Sequence, residues 1–512
     1  MGSFTRYSDQ PPKPKGSAGW VCFVIAIIIL AACSFTFGFA ARERAIINGH
    51  ALETRSQLSA FSPAGNRVDV GSRSDQDIRP MQTMIDALRQ VRHYFVERIE
   101  DSQEKDLTYS SLAKMMESLG DPQSRFLSPE QRELADDALR GKFHGIGAVL
   151  GMKTEKNPVP HAVLPTPDNP LTSPGTLPLT APQPVHTMEG KLIVIAALPG
   201  SPAEKAGLQP GDSIIEKDGK WVISYNPIDS AMSMYKGVKN RQIDPAELQK
   251  ALEAAKKKLE NGITIQKAAD ELTKTDTGTF NLVVVRKGEP KNIKVTLTPG
   301  VTEVASVEHK MLVAGTGYIH VNYFGRGTGD AFGEALADLA ANKATRLVLD
   351  LRNSPGGSTD AALRVAGWLE PRKPYGLLAK AHDAREALTT PDSKKAAADK
   401  IEGASADALR KPIVVLVNGG TSSAGEMLAA SLRDNGIGVL VGSKTYGDLL
   451  QHTMFVLRDG SAVTFTTGKY LTPKGLDYNG KGLKVDVAVA ASRDGDAQLE
   501  KALAVLKAKS GS

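Results

Sequence analysis

The sequence predicts an α/β core that carries an inserted, mostly β unit, with a helical region and one transmembrane helix ahead of it. Three observations predict it. Toward the C-terminus, the apolar runs Leu347–Leu351 and Ile413–Val417 each pass through a glycine turn into residues with helical apolar spacing. Between about 140 and 300, short alternating runs are punctuated by Pro-Gly turns. Near the N-terminus, Trp20 to Ala41 is apolar and free of charge over a length that crosses a bilayer.

Size and composition bound the rest. A chain of 512 residues suits roughly three domains. With 41% hydrophobic and 23% charged residues it is globular. The net charge of +6 is small for this length, and no Lys/Arg run alternates with aromatics, which argues against nucleic-acid binding. The only cysteines, Cys22 and Cys33, lie in the apolar segment. The folded region therefore has no disulfide, no cysteine-based zinc site and no cysteine nucleophile. That composition suits an oxidising compartment.

Arg6, Lys13 and Lys15 precede the apolar segment, so the positive-inside rule makes 1–19 a cytoplasmic tail and 20–41 the anchor. The remainder then lies on the extracytoplasmic side, periplasmic or extracellular. A cleaved signal peptide is the rival reading, and Leu30-Ala31-Ala32-Cys33 has the form of a lipoprotein box. Phe35, Phe37 and Phe39 carry the apolar run past that cysteine and favour an uncleaved anchor.

Residues 42–77 read as a polar linker and 78–139 as a helical region. Ile85, Leu88, Val91 and Phe95 recur at helical spacing, as do Tyr109, Leu112, Met116 and Leu119. Asp121 to Leu127 turns the chain into a third helix, Pro129 to Leu139. The loop Gly145-Ile146-Gly147-Ala148 then enters a strand and can present consecutive N–H groups to a carboxylate. Nine prolines between 158 and 184 exclude regular structure there. Leu192–Ala197, Ser213–Lys217, Phe280–Arg286 and Ile293–Leu297 read as strands. Pro199 to Leu208 reads as a short capped helix, and Asp244-Pro245-Ala246-Glu247 opens a lysine-rich one that runs to Leu259.

From about 301 the pattern is α/β. Gly317–Val321 and Leu347–Leu351 are apolar strands around a helix with Phe332, Leu336 and Leu339. Two glycine turns, 353–357 and 418–423, each join a buried strand to a helix, at the sheet edge where α/β sites assemble. Residues 379–410 read as a charged, alanine-rich helical cap, and Leu499, Ala502, Leu503 and Leu506 as a closing amphipathic helix. The second turn holds Thr421, Ser422 and Ser423 just before the helical residues Met427, Leu428 and Leu432. A serine there either caps the helix or sits where free N–H groups and the helix dipole stabilise an oxyanion.

Taken in order, these motifs resemble the C-terminal processing peptidases, or tail-specific proteases, from about Met81 onward. The likeness includes the Asp121-to-Leu127 turn, the Gly145 loop, Gly200 to Asp212 and Asp350 to Gly357. It continues through the serine segment, Tyr470-Leu471-Thr472-Pro473 and Gly480-Lys481-Gly482. The resemblance implies a ClpP/crotonase-like peptidase core at 301–512 and a PDZ-like domain at 140–300, with Pro-rich (154–189) and helical (227–276) insertions. It implies a serine endopeptidase that needs no cofactor or metal and acts on proteins or peptides with accessible C-termini; an oligomer is compatible with it. Ser423 matches the nucleophile. Ala424 with Gly356 or Gly357 matches the oxyanion hole, and Gly145, Ile146, Gly147 and Ala148 match the peptide-binding loop.

One departure concerns the base. The family lysine lies in a segment resembling Gly-Glu-Lys-Thr-Phe-Gly-Lys-Gly, which here reads Gly442-Ser443-Lys444-Thr445-Tyr446-Gly447-Asp448-Leu449. The base position is Asp448, and His452 stands where the family has a glutamine. A carboxylate with a pKa near 4 is a poor base for a serine hydroxyl, and an imidazole is a better one. Extended backbone from 448 to 452 would point both side chains to one face, so that Asp448 orients His452 and His452 takes the Ser423 proton. The rival is a catalytically impaired, PDZ-bearing binding or scaffold protein, favoured by Leu449 and Leu450 crowding a turn that normally holds small residues. A third reading recruits Lys444.

Other candidates read more plainly. His144 is exposed, His320 faces solvent or a neighbouring domain, and His309 and His382 have no spaced partners. Glu426 reads as a helix-stabilising or packing carboxylate and Arg352 as an ion-pair residue. Lysines 256–258 form a solvated helix face.

Overall fold

The computed structural model describes residues 79–121, 123–155, 189–228, 244–313, 315–380, 383–393, 413–492 and 495–510. The expected tail, anchor and linker, the Pro-rich stretch and His382 lie outside the described residues. Among the described residues no helix is long and apolar enough to cross a membrane. The chain divides into units Met1–Val96 and Glu97–Ser512. In the first, helix α1 (Arg79–Tyr94) ends on Arg92 and His93, which complement the helix dipole.

The second unit begins with α2 (Asp101–Ser118), β1 (Arg125–Leu127) and α3 (Pro129–Leu139). Ser128 caps α3 in a capping box with Gln131, and Pro129 takes the first helical position. There follow β2 (Lys142–Gly145), β3 (Ala148–Glu155), β4 (Glu189–Ala197), the short α4 (Pro202–Lys205), β5 (Ser213–Lys217) and β6 (Lys220–Ile223). Helix α5 (Pro245–Glu260) is capped by Asp244 through the Ala246 N–H. After it come β7 (Ile263–Thr264), α6 (Ile265–Leu272), β8 (Phe280–Val285), β9 (Ile293–Leu297) and β10 (Gly300–Glu303). Strands β3 to β9 form a seven-stranded sheet with β3 at one end of the order β3-β4-β5-β6-β7.

The expected helical insertion at 227–276 needs correction. Ile263, Ala268 and Leu272 are buried in the same core as Leu192, Ile214, Phe280 and Val284. The segment 263–272 therefore belongs to this unit's core. Lys258 also departs from a solvated face: its ammonium lies 4.1 Å from the Trp221 ring centre and donates to Tyr225 Oη at 2.9 Å.

The rest comprises β11 (Val307–Met311), β12 (Thr316–Val321), α7 (Thr328–Ala341), β13 (Arg346–Asp350), α8 (Thr359–Leu369), β14 (Pro374–Lys380) and β15 (Arg385–Thr389). It continues with β16 (Ile413–Val417), α9 (Ala424–Asp434), β17 (Gly438–Gly442), β18 (Leu450–Val456), β19 (Ala462–Leu471), β20 (Val487–Ala488) and α10 (Ala497–Ser510). The sheet β11-β12-β13-β16-β17-β20 is parallel from β12 onward. Its central strands β13, β16 and β17 are buried on both faces, which is why they read as unbroken apolar runs. Leu347, Leu349, Val415 and Val417 face α7, α8 and α9, whereas Val348, Val414 and Leu416 face α10 through Ala502 and Leu506. A second, antiparallel sheet joins β1, β19, β14 and β15, with β18 paired to β19.

The helical cap expected at 379–410 is corrected over 385–389, while 381–382 and 394–410 lie outside the described residues. Arg385–Thr389 pairs antiparallel with Pro374–Lys380. The segment is an edge strand with alternating exposure, and its alanines and charges imitate a helix face.

Candidate active site

The glycine turns after β13 and β16 lie at the C-terminal ends of neighbouring parallel strands and are laced together. Asn418 Nδ2 donates to Asn353 Oδ1 at 2.8 Å, and Asn353 N–H donates back to Asn418 Oδ1 at 3.0 Å. Ser422 N–H reaches Ser354 O at 3.0 Å, and Thr421 Oγ1 donates to Leu351 O at 2.7 Å. Beneath them Asp350, almost fully buried, takes both a bidentate pair from Arg352 and the Tyr318 hydroxyl. Arg352 continues to Asp496 at the start of α10, as expected of an ion-pair residue. These bonds hold both turns in one register.

Ser423 sits at φ +48° and ψ −119°, a conformation costing about 1–3 kcal/mol that only a fixed framework sustains. It precedes the first residue of α9, whose Met427, Leu428 and Leu432 are buried. A strained serine on a strand-to-helix turn has the form of a nucleophile elbow. Ala424 N–H, at the helix start, is one of the donors an α-helix leaves unused, and the parallel bridge Phe324–Gly357 leaves the Gly357 N–H outside its bonds. Gly356, at φ +97°, lies so close that a β-carbon there would come within 2.7 Å of Ser423 Cβ and 3.2 Å of Ala424 N. Ala424 and Gly356 thus border the serine, whereas Gly357 packs against the Phe324 backbone.

Glu426 ties the serine to the loop that holds Asp448. Its Oε2 accepts from Ser423 N–H at 3.2 Å and Asp448 N–H at 2.8 Å. Its Oε1 accepts from Gly447 N–H at 2.9 Å and from the Thr445 hydroxyl. Burial pushes its pKa up to about 7, against the pull of Thr445 and the Asp448 and Gly447 N–H groups. From the other side, Gly480 N–H donates to Gly447 O at 2.8 Å and Leu483 N–H to Thr445 Oγ1 at 2.7 Å.

Asp448 and His452 do share a face, with Asp448 Oδ1 3.6 Å from His452 Nε2, although a bulge at Gln451/His452 interrupts the regular alternation. No hydrogen bond joins Ser423 to either side chain among the described residues. The nitrogen facing Asp448 is Nε2, whereas Nδ1 lies 3.2 Å from Thr466 Oγ1. Leu449 does not crowd the turn, because its side chain is buried in the main core. Lys444 is exposed.

The remaining candidates are dispersed. Gly145 and Gly147 have positive φ, Ile146 is buried, and its N–H is already donated to Leu272 O at 3.0 Å. Ala148 opens β3, whose outer edge is unpaired among the described residues. His144 is not simply exposed: it pairs with Asp137 at 2.9 Å. His320 bonds Arg352 O at 3.1 Å in place of solvent, and His309 pairs with Asp338 at 3.0 Å. The four-donor role of Glu426 and the contact between Thr466 and His452 were missed, since neither has a periodic signal.

The fold and this elbow define the class of site found in serine-type peptidases with an α/β core. Residues 315–489 match Peptidase family S41. A carboxyl-terminal-processing protease of Synechocystis is 28% identical over 78% of this chain and 74% of its own length. A probable CtpA-like serine protease of Staphylococcus aureus is 27% identical over 75% of this chain. The chain spans 60% of that relative's length. Among solved structures, a photosystem II D1 C-terminal processing protease superposes with TM-score 0.51 and 25% identity, covering 82% of this chain and 90% of that one. The chain thus carries a Peptidase family S41 domain and is similar to C-terminal processing peptidases.

Proposed function

We propose that the protein is a membrane-anchored serine endopeptidase that binds C-terminal tails of protein substrates through a PDZ-like unit at 140–300 and cleaves near them. The observation that carries this reading is the strained Ser423 bordered by Ala424 and Gly356. In the proposed reaction His452 Nε2 removes the Ser423 Oγ proton as Oγ adds to the scissile carbonyl. The Ala424 N–H and a glycine N–H of the 356–357 turn receive the oxyanion. His452 returns the proton to the leaving amine, and water then releases the acyl group with His452 again as base. Because no hydrogen bond joins His452 to Ser423 in the resting chain, substrate must bring the serine and His452, on β18, together. Resting catalytic contacts are commonly long and tighten on substrate.

Tail binding is supported by the edge of β3, unpaired among the described residues, which can take a peptide as an added strand. Placement outside the cytoplasm rests on the apolar segment 20–41 and the basic residues before it. A second reading, a catalytically impaired binding or scaffold protein, draws on Asp448 at the family's lysine position and on that same missing contact. Cleavage of unfolded proteins with free C-termini separates the two. The peptidase reading expects cleavage by the wild type and none by Ser423→Ala. Equal inertness with a panel of tails would leave the scaffold reading standing.

A further inference from the structure

Asp121 lies on the turn before β1, and Thr466 lies on β19. Its carboxylate accepts from Thr466 Oγ1 at 2.6 Å, Ser124 Oγ at 2.7 Å and Gln123 N–H at 3.1 Å. Burial works against its charge, but these donors hold its pKa below the usual carboxylate value, so it is an anion and accepts only. A threonine hydroxyl has one hydrogen. That of Thr466 is spent on Asp121, so toward His452 Nδ1, at 3.2 Å, the same oxygen can only accept. Nδ1 must then carry a hydrogen. On the opposite side of the ring, Nε2 is buried with no hydrogen-bond partner among the described residues and faces Asp448 Oδ1 at 3.6 Å.

We infer that Asp121, acting through Thr466, is a positioning residue that fixes the neutral His452 ring with its proton on Nδ1 and its lone pair on Nε2. The inference deepens the proposed peptidase reading and rests on it for its catalytic meaning. It also exchanges the parts expected of the two carboxylates. Orientation comes from Asp121 through a hydroxyl relay, on the nitrogen remote from the reaction. Asp448 faces the nitrogen that takes the proton, so it stabilises the imidazolium once Nε2 has accepted the serine hydrogen.

The relay makes an unusual demand of Asp121→Asn. The Gln123 N–H cannot reverse, so it keeps the amide oxygen, and the amide NH2 turns toward Thr466. The Thr466 hydroxyl then accepts from Asn and donates to Nδ1, moving the ring proton to Nε2. Thr466→Val removes the acceptor for the Nδ1 hydrogen and leaves Nε2–H facing Asp448 as the better-paired form. Thr466→Ser keeps the relay.

The test is histidine 15N NMR on the full-length chain, titrated to where the ring is neutral, with His452 assigned by its loss in His452→Gln. The expected pattern is protonated-type Nδ1 and unprotonated-type Nε2 in the wild type and Thr466→Ser, reversed in Asp121→Asn and Thr466→Val. A wild-type neutral ring with its proton on Nε2 would overturn the inference. So would a pattern identical in all the proteins, or a ring still doubly protonated at the highest pH the fold withstands. The readout does not depend on turnover, so an inactive protein with the expected pattern refutes the peptidase reading and leaves the relay standing.

Discussion

At the scale of single residues, the site depends on what is absent as much as on what is present. Gly356 has a positive φ, and a methyl group there would collide with the serine it borders. Gly356→Ala is expected to lower the rate of serine acylation about 10²-fold or more while Ser423 remains in place, measured by stopped-time labelling. Glu426 is the other decisive residue. A glutamine has one acceptor oxygen for four donors, so Glu426→Gln releases either Thr445 and Gly447 or Ser423 and Asp448. A loss of at least about 10-fold in acylation is expected, with unfolding by urea showing a folded protein. Full activity would remove Glu426 from the positioning machinery. The sequence made Ser423 legible because a glycine turn between a buried strand and a helix is a local pattern. It marked Glu426 as a packing carboxylate, which is correct for its burial and silent on its donors, three of which lie about twenty residues away.

At the scale of elements, the β unit rests directly on the site loops. A β-carbon on Gly420 would come within 2.9 Å of Ile195 O on β4 and of Pro210 Cγ. One on Gly151, in β3, would come within 2.5 Å of the Tyr446 hydroxyl, two residues before Asp448. Gly151→Leu should therefore displace Tyr446 and with it the loop, lowering kcat on short substrates that do not use the β3 edge. Unchanged kcat would mean that Tyr446 moves without carrying Asp448. Element boundaries were legible wherever burial imposed a period: β5, β9, α3 and β16 fall where alternation or capping put them. They were hidden where charge masked it. Strand β15 opens on Arg385 and Glu386 and is exposed at every second residue, and α6 is short enough that its core residues Ala268 and Leu272 seemed part of an appended helix. The meeting of Asp121 with Thr466 joins residues 345 apart, which no local pattern encodes.

At the scale of the whole molecule, buried carboxylates outside the chemistry give stability a pH signature. Glu370 is buried; burial pushes its pKa up to about 7, although Ser431 and Asn435 donate to it. The folded chain therefore keeps a proton that the unfolded chain has released, between the ordinary value of 4.5 and about 7. Stability from this group is full below that window and is lost as pH rises through it. In Glu370→Gln the amide oxygen can accept from Asn435 and the amide nitrogen can donate to the reversed Ser431 hydroxyl, so the neutral state is kept at every pH. The variant should match the wild type near pH 5 and exceed it by about 1–3 kcal/mol at pH 8 in urea unfolding. Equal stability at both values would place the Glu370 proton elsewhere. Glu426 keeps a similar slope in both proteins, so the difference between them reports Glu370 alone.

The central claim is that Ser423 is an activated nucleophile although the family's lysine is replaced by Asp448. It is tested most directly by reacting the full-length protein with a serine-directed phosphonate and locating the adduct by mass spectrometry. The expected result is an adduct on Ser423 in the wild type, none in Ser423→Ala, and a labelling rate lower by about 10²-fold or more in His452→Gln. A wild type that labels no faster than Ser423→Ala would contradict it.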